Sequence, residues 1–382
     1  MPFENFGLKS GSTRRSCGYS PEVKTFHEAR ERSLNKGLCQ AIALVLLLSF
    51  LTGCEFISLS GDQPTLQESA EAEPVAVFFT SPGKPDGSQA LREALLDSIA
   101  SARVRIDVAM YNFSWLEAAN ALLAAAERGV AVRMVIDSDA LDNRAVQRLQ
   151  QGKIPLIGDR REGLMHNKFI LIDDEILWSG SLNLTPASLD QDHNVFLRIR
   201  SGKLVALYRA EFEEMFTAHL FGGGQALPLK DRQVNVDGME VEVCFAPDDR
   251  PGRTLVERVQ GARERIDFLA YTFTRDDLRD AMIEAARRGV QVRGVFDADQ
   301  SDAAGSDYTA LRRAGLDVRL DGNPGLMHEK VLVIDGETVV TGSYNFTRSA
   351  DETNDENLLI IRDAKLARQF EEEVQRIYEA AQ

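Results

Sequence analysis

Two stretches of the chain carry charged residues where an apolar strand would otherwise run. "GLMHNKFILID" covers residues 163–173, and "GLMHEKVLVID" returns 162 positions later. In a strand, residues two apart project to the same face. His166 therefore shares a face with Lys168, and His328 with Lys330. Each strand runs on into apolar residues and ends at Asp173 or Asp335. Seven residues further on come Gly180-Ser181-Leu182-Asn183 and Gly342-Ser343-Tyr344-Asn345. A tight hairpin would bring this Ser and Asn beside the His and Lys.

The inventory is then imidazole, ammonium, hydroxyl and amide. Imidazole can act as nucleophile or general acid–base near neutral pH. Lysine is a poor metal ligand but a good phosphate clamp. No metal or cofactor site is evident, since there is neither a cysteine cluster nor a close histidine pair. The set points to a phosphate ester. A lone buried histidine is usually a satisfied core residue, and a lysine near a strand end usually snorkels. Both together, twice in the same frame with Gly-Ser-x-Asn, argue against that bland reading.

The pattern H-x-K-x4-D-x6-G-S-x-N has six fixed letters over 18 positions and occurs twice. It resembles the paired HKD motifs of the phospholipase D superfamily, over most of residues 75–377. The resemblance implies one active site shared by two halves of a single chain, related by a pseudo-two-fold axis, so a monomer is expected. It implies two steps without a cofactor. One histidine attacks phosphorus to form a phosphohistidine; the other protonates the leaving alcohol and then activates water. Attack is assigned to His166 and proton donation to His328. Lys168, Lys330, Asn183 and Asn345, with Ser181 and Ser343, would hold the phosphoryl oxygens. The resemblance implies that Asp173 and Asp335, which complete the two motifs, are catalytic with the His and Lys, and a structural role closing the hairpin is open to both. The family also places an acidic residue behind each histidine. Glu356, 28 residues after His328, suits that role. In the first half "DQDHN" reads one residue shorter, which aligns His193 with Glu356 and makes Asp192 the expected orienter.

Elements to hold these residues also come in pairs. "VAVFFTSP" at Val75 matches "VEVCFAPD" at Val241, and "ARVRIDVAMYNF" at Ala102 matches "ARERIDFLAYTF" at Ala262. "ERGVAVRMVIDSD" at Glu127 matches "RRGVQVRGVFDAD" at Arg287. Two such long copies read as two similar domains, 74–220 and 240–382, joined by a linker, 221–239. Strand and helix signals alternate in each. The expected fold is α/β, with two mixed, mostly parallel sheets flanked by helices. Ser114 and Glu117 form a capping box for a helix stopped at Gly129; Thr274, Asp277 and Gly289 repeat it. Tyr111 and Tyr271 end equivalent strands and either line the cleft or pack. Trp178 and Cys244 read as core, and His219 as surface.

With 382 residues, 44% hydrophobic and 27% charged, the composition is that of a globular chain of about two domains. Residues 1–53 read as a leader. "GLCQAIALVLLLSFLTGC", residues 37–54, is an apolar run closing on "LTGC", which resembles a lipobox with Cys54 as the lipidated residue. An uncleaved anchor helix is the plainer alternative. The 36 residues ahead of the run are long for a leader's charged region, and a start near Leu34 would give one of ordinary size. Residues 54–73 are polar and aperiodic, a tether. The expected location is the cell envelope, lipid-anchored and facing the periplasm or exterior. Cleavage before Cys54 removes 7 basic and 4 acidic residues, leaving 37 and 55, a net charge of −18. That balance disfavours polyanions and strongly anionic membranes as partners. Hydrolysis of a phospholipid head-group phosphodiester is the expected function. The alternative is an endonuclease on nucleic acid, for which Arg160 and Arg161 would line a local basic cleft. A non-catalytic phosphate-binding lipoprotein is the third reading, and two complete motifs argue against it.

The leader makes one testable statement. Cys54→Ser should abolish incorporation of labelled palmitate into the protein; unchanged labelling would overturn the lipobox.

Overall fold

The computed structural model describes residues 73–84, 86–224 and 231–382. The leader, Cys54 and the tether up to residue 72 lie outside the described residues. The first half runs β1 (Val75–Phe79), α1 (Gln89–Ser101), β2 (Arg105–Met110), α2 (Leu116–Glu127), β3 (Ala131–Ile136), α3 (Arg144–Gln151) and β4 (Leu156–Gly158). It continues with β5 (Lys168–Ile172), β6 (Ile176–Gly180), α4 (Pro186–Asp190), β7 (Val195–Arg200) and α5 (Gly202–Phe216). The second half opens with β8 (Gln233–Val236), β9 (Met239–Ala246), α6 (Pro251–Gly261), β10 (Arg265–Ala270), α7 (Asp276–Arg287) and β11 (Gln291–Phe296). Then come α8 (Ala298–Ser301), α9 (Tyr308–Arg313), β12 (Asp317–Leu320), β13 (Lys330–Ile334), β14 (Thr338–Gly342), α10 (Arg348–Glu352), β15 (Glu356–Arg362) and α11 (Ala364–Ala380). The segment expected as a linker thus contributes β8, an edge strand of the second sheet.

The sheets order β1-β7-β6-β5-β2-β3-β4 and β12-β11-β10-β13-β14-β15-β9-β8. Both are mixed, as expected, but they are not mostly parallel. Only β2–β3–β4 and β10–β11–β12 pair in parallel. The crossovers through α2 and α3, and through α7 and α9, bring their flanking strands together in parallel, whereas the motif hairpin and the strand after it add antiparallel neighbours.

Strand alternation sorts side chains into layers. Ile106, Val108 and Met110 of β2 face an outer core with Leu95 of α1 and Leu122 of α2. Phe268 of β10 meets Leu255 and Met282 in the matching core of the second half. The inner faces share one core. Leu197, Leu359, Phe212 of α5 and Phe370 of α11 all belong to it, so α5 and α11 lie in the layer between the sheets. Phe79 packs edge-on against Phe370, and Tyr208 against Phe245, each contact crossing from one half to the other. α11 carries an acidic run, yet its Phe370, Val374 and Ile377 are buried in that core.

The expected capping boxes do not form. The residue before α2 is Trp115 and that before α7 is Arg275, and neither makes a side-chain cap. The N–H groups of Ser114 and Trp115 both donate to the Leu184 carbonyl at 2.9 Å, and Thr274 donates to Phe346 at 2.9 Å. Pairing with the loop after the motif hairpin takes up the backbone donors there, and tertiary context overrides the local signal. The helix stops hold: Gly129 and Gly289 adopt φ of +93° and +96°.

A charge inside the inner layer accounts for two further repeated letters. Asp107 of β2 is fully buried and is gripped by Arg133 of β3 and Arg209 of α5; Asp267 of β10 is held by Arg293 at 2.6 Å. Removing one partner of a buried pair strands the other. Asp267 keeps a second cation, Arg265 at 3.1 Å, so Arg293→Ala should lower unfolding stability by about 3 kcal/mol at most, the low end for loss of a buried partner. Urea denaturation checks this, and a change under 1 kcal/mol would contradict it.

Candidate active site

Both motifs start where the parallel strands of their half end. Lys168, first residue of β5, pairs with Met110, last residue of β2, and Lys330 pairs likewise with Ala270. Open α/β sheets present ligand sites at such carboxyl ends. The residues just before β5 and β13 complete no sheet of their own. Instead they pair across the pseudo-two-fold axis. His166 N–H donates to the Asp355 carbonyl at 2.9 Å, and Asp355 N–H donates to Leu164 at 2.9 Å. Reciprocally, His193 donates to Leu326 at 2.8 Å and His328 to His193 at 3.0 Å. Each motif is thus pinned by the chain that leads into the final strand of the other half.

The side chains that follow are crossed in the same way. His166 Nδ1 lies 2.7 Å from Glu356 Oε2, and His328 Nδ1 lies 2.9 Å from Asn194 Oδ1. Glu356 therefore serves the first motif's histidine rather than its own. Asn194, not Asp192 or His193, is its counterpart. His166 to Asn194 spans 28 residues, as His328 to Glu356 does, so counting the spacing in both halves finds it. Asp192 does other work: its Oδ1 accepts from Leu326 N at 3.0 Å, while Asn354 Oδ1 accepts from Leu164 N at 3.2 Å. Both hold the lead-in of the opposite motif.

The serines support this layer rather than the ligand space. Ser343 Oγ donates to Glu356 at 2.6 Å and Ser181 Oγ to Asn194 at 2.9 Å. The glycines before them are dictated by approach: a Cβ on Gly180 would lie 2.2 Å from the Val195 carbonyl oxygen, and one on Gly342 2.3 Å from that of Asn357. Asn194 Nδ2 donates to the Ser188 carbonyl, which fixes the amide orientation and leaves Oδ1 as acceptor. With Nδ1–H given to Glu356 or Asn194, each imidazole presents Nε2 to the cleft.

Lys168 and Lys330 are fully buried, and each ammonium donates to the carbonyl of its own motif histidine, at 2.7 and 2.6 Å. Each also lies over an aromatic ring, Lys168 on Tyr111 at 5.0 Å and Lys330 on Tyr271 at 4.7 Å. The same tyrosines sit edge-on to His166 and His328 at 4.8 Å, so they line the site. Asn183 Oδ1 and Asn345 Oδ1 are buried without a partner among the described residues.

Asp173 and Asp335 do not join the cluster. They lie at the far ends of β5 and β13, at φ +53°, where the carboxylate collects three N–H groups, those of residues 103–105 or 263–265. These contacts hold the carboxyls below their usual range despite partial burial. They close the hairpin. The sequence reading also missed Asp137 and Asp297, whose Oδ2 atoms accept from Met165 N at 3.0 Å and Met327 N at 2.9 Å. Repeated "VIDSD" and "VFDAD" at the ends of β3 and β11 are their signal. Arg161 is not a free cleft cation, because it pairs with Asp355 at 2.5 Å.

Burial dominates the electrostatics. It pushes His166 down to about 4, against the pull of Glu356 and with the push of Lys168. It lowers Lys168 to about 7. It drives His328 and Lys330 well below their ordinary values, each lowered further by a lysine beside it, Lys330 for His328 and Lys168 for Lys330. Burial also raises Glu356, but His166, Lys168 and Ser343 outweigh it and keep the carboxyl below its usual range. Two imidazoles and two ammonium groups thus converge, with Glu356 the carboxylate hydrogen-bonded to the cluster, an arrangement that suits an anion. Among the described residues no group of three or more His, Cys, Asp or Glu is arranged to hold a metal.

The family described as "Cardiolipin synthase, PLD-like domain" matches residues 95–216 and again 255–378, one match per half. The chain is 36% identical over 143 residues to a phospholipase D of Rickettsia bellii, covering 37% of this chain and 71% of that one. It is 29% identical over 205 residues to the mitochondrial cardiolipin hydrolase of Chlamydomonas reinhardtii, covering 47% and 91%. The solved phosphatidylserine synthase of Haemophilus influenzae Rd KW20 shares the fold, with a TM-score of 0.62, 14% identity, and coverage of 83% of this chain and 90% of that one. The chain belongs to the phospholipase D superfamily. Its activity class is that of a phosphodiesterase.

Buried, mutually repelling ammonium groups lower stability in the unliganded protein. The folded lysines hold protons more weakly than the unfolded chain does, so their contribution to stability rises with pH up to 10.5, for Lys168 from about 7. Lys330→Met should abolish activity yet raise Tm by about 2–4 °C at neutral pH. Scanning fluorimetry decides it, and a lowered Tm would contradict the electrostatic account.

Proposed function

We propose that the protein is a lipid-anchored phosphodiesterase of the cell envelope that hydrolyses the head-group phosphodiester of a phospholipid through a phosphohistidine. The observation that carries the chemistry is the unequal backing of the two histidines: a carboxylate behind His166 and a neutral amide behind His328. Relatives named phospholipase D and cardiolipin hydrolase favour a lipid substrate. The net charge of −15, and the commitment of Arg161 to Asp355, weigh against nucleic acid.

In this reading the phosphodiester anion lies between Lys168 and Lys330, with Asn183 and Asn345 on its flanks. His166 Nε2 attacks phosphorus as the bond to the leaving alcohol breaks. The phosphoimidazolium so formed is cationic, and Glu356 at 2.7 Å stabilises it. His328 gives its Nε2 proton to the departing oxygen. An amide behind it adds no negative charge, so its imidazolium stays a strong acid. Water then gives a proton to His328 while its oxygen displaces His166 from phosphorus. The phosphomonoester and both histidines are released in their starting forms.

The pH dependence follows from the sign of the shifts. Both imidazoles titrate below their ordinary value of 6.5, so the bell-shaped kcat/KM profile should peak on the acid side of it. Asn194→Asp puts a carboxylate behind His328, raises its pKa and should move the basic limb to higher pH. Glu356→Gln should cost about 10²–10⁴ in kcat with no such movement. Matching profiles for the two variants would refute the division of roles. Substrate class is tested by assaying the purified protein on phosphatidylcholine, phosphatidylethanolamine, cardiolipin and single-stranded DNA; cleavage of DNA alone would overturn the lipid reading.

A further inference from the structure

Away from the catalytic cluster, the first half carries a cavity of about 380 Å³ beside β4, the outermost strand of its sheet. Leu141, Leu156, Ile157 and Phe221 supply its apolar lining, and Arg160 and His219 stand in its wall. Its volume falls within the range of small-molecule pockets. Next to Phe221 is Leu220, 49% exposed and one of only two large exposed hydrophobics among the described residues. Leu220 stands in the chain between two residues of the cavity wall, His219 and Phe221, and an apolar recess with an exposed leucine at its border is a candidate contact site.

The polar residues narrow the occupant. Arg160 is exposed, and its guanidinium makes no hydrogen bond or ion pair with the described residues. His219 is exposed beside it. Asp159, also in the wall, is buried and turned toward its own half: its Oδ1 accepts from Ser138 N and Arg160 N, both at 2.9 Å, and Oδ2 lies 3.8 Å from Arg161 with no hydrogen-bond partner among the described residues. The rim therefore offers a free cation above an apolar floor, the complement of an amphiphile with a phosphate or ester head. A strand from a second copy fits less well, because β4 is three residues long and gives little edge to pair with.

The cavity also touches the framework of the catalytic site. Phe221 precedes Gly222, whose N–H donates to Asp355 Oδ1 at 2.6 Å. Arg161 holds the other Asp355 oxygen, and the Asp355 carbonyl anchors His166. One residue thus joins the cavity wall to the first motif.

We propose that this cavity seats an acyl chain of a bilayer phospholipid, with Arg160 and His219 against its ester and phosphate oxygens and Leu220 set into the interface. The proposal builds on the reading of the protein as a phospholipid-processing enzyme. The test uses the full chain in phosphatidylcholine vesicles doped with a phosphatidylcholine carrying a mid-chain diazirine. After irradiation, cross-linked peptides are mapped by mass spectrometry. Label is expected in the peptides holding Leu141, Leu156–Ile157 and Leu220–Phe221. It should fall about fivefold or more in an Arg160→Glu, Leu220→Asp double variant. That variant should turn over a soluble nitrophenyl phosphodiester as wild type does, showing that it is folded. Absence of label from these peptides overturns the proposal, as does label undiminished in the variant or a protein–protein cross-link through β4. Labelling requires no turnover. A protein that takes up label here but cleaves no phospholipid would therefore refute the proposed substrate and leave the lipid-seating cavity standing.

Discussion

The site depends on one exchange of backbone hydrogen bonds. Residues 164–166 pair with Asp355, and residues 326–328 pair with His193, each bond spanning the two halves. Without that exchange the lead-in to β5 or β13 would be a loop with unsatisfied N–H groups, and the histidines would have no fixed direction. With it, the strand that leaves one motif's neighbourhood delivers the residue that backs the other motif's ring. Asp192, Asn354, Asp137 and Asp297 all reinforce the same segments through their N–H groups. Much of the buried polar chemistry in the molecule is arranged around these few residues.

This order produces a deliberate imbalance. Two ammonium groups sit in the interior near each other, with a carbonyl and a π-face apiece and a single carboxylate, Glu356, within electrostatic reach of both. A core designed for stability alone would place leucine or methionine there. The arrangement is favourable only when an anion completes it, so folding free energy is held in reserve for binding. The surrounding sheets, with one apolar core shared between α5 and α11, supply the rigidity that keeps such a strained cluster assembled.

Much of this was legible in the sequence. Letter-for-letter repetition showed the duplication, and period-two spacing put His and Lys on one face. Local pattern did not carry the rest. The 28-residue spacing found Glu356, but only the cross-over of chains shows that it serves His166; an off-by-one alignment hid Asn194. Asp173 looked catalytic because it closes the motif, yet the five residues of β5 carry it to the opposite end of the strand from His166. The serines looked like ligand contacts because the hairpin returns them near the histidines, while in fact they face the neighbouring strand. Ser114 and Thr274 had cap chemistry, but their backbone groups were taken by the loop at Leu184 and Phe346. In each case a long-range backbone contact, invisible to spacing, decided the outcome.

The crossed backing of the histidines has a consequence for inheritance. After a duplication, two copies are usually free to drift apart, each keeping its own function intact. Here the residue that tunes each imidazole is encoded in the other copy. A change at position 194 alters the chemistry of the second motif, and a change at 356 alters that of the first. Glu356 and Asn194 are such a divergence already completed, one copy having specialised the other. Neither half carries a whole catalytic history of its own.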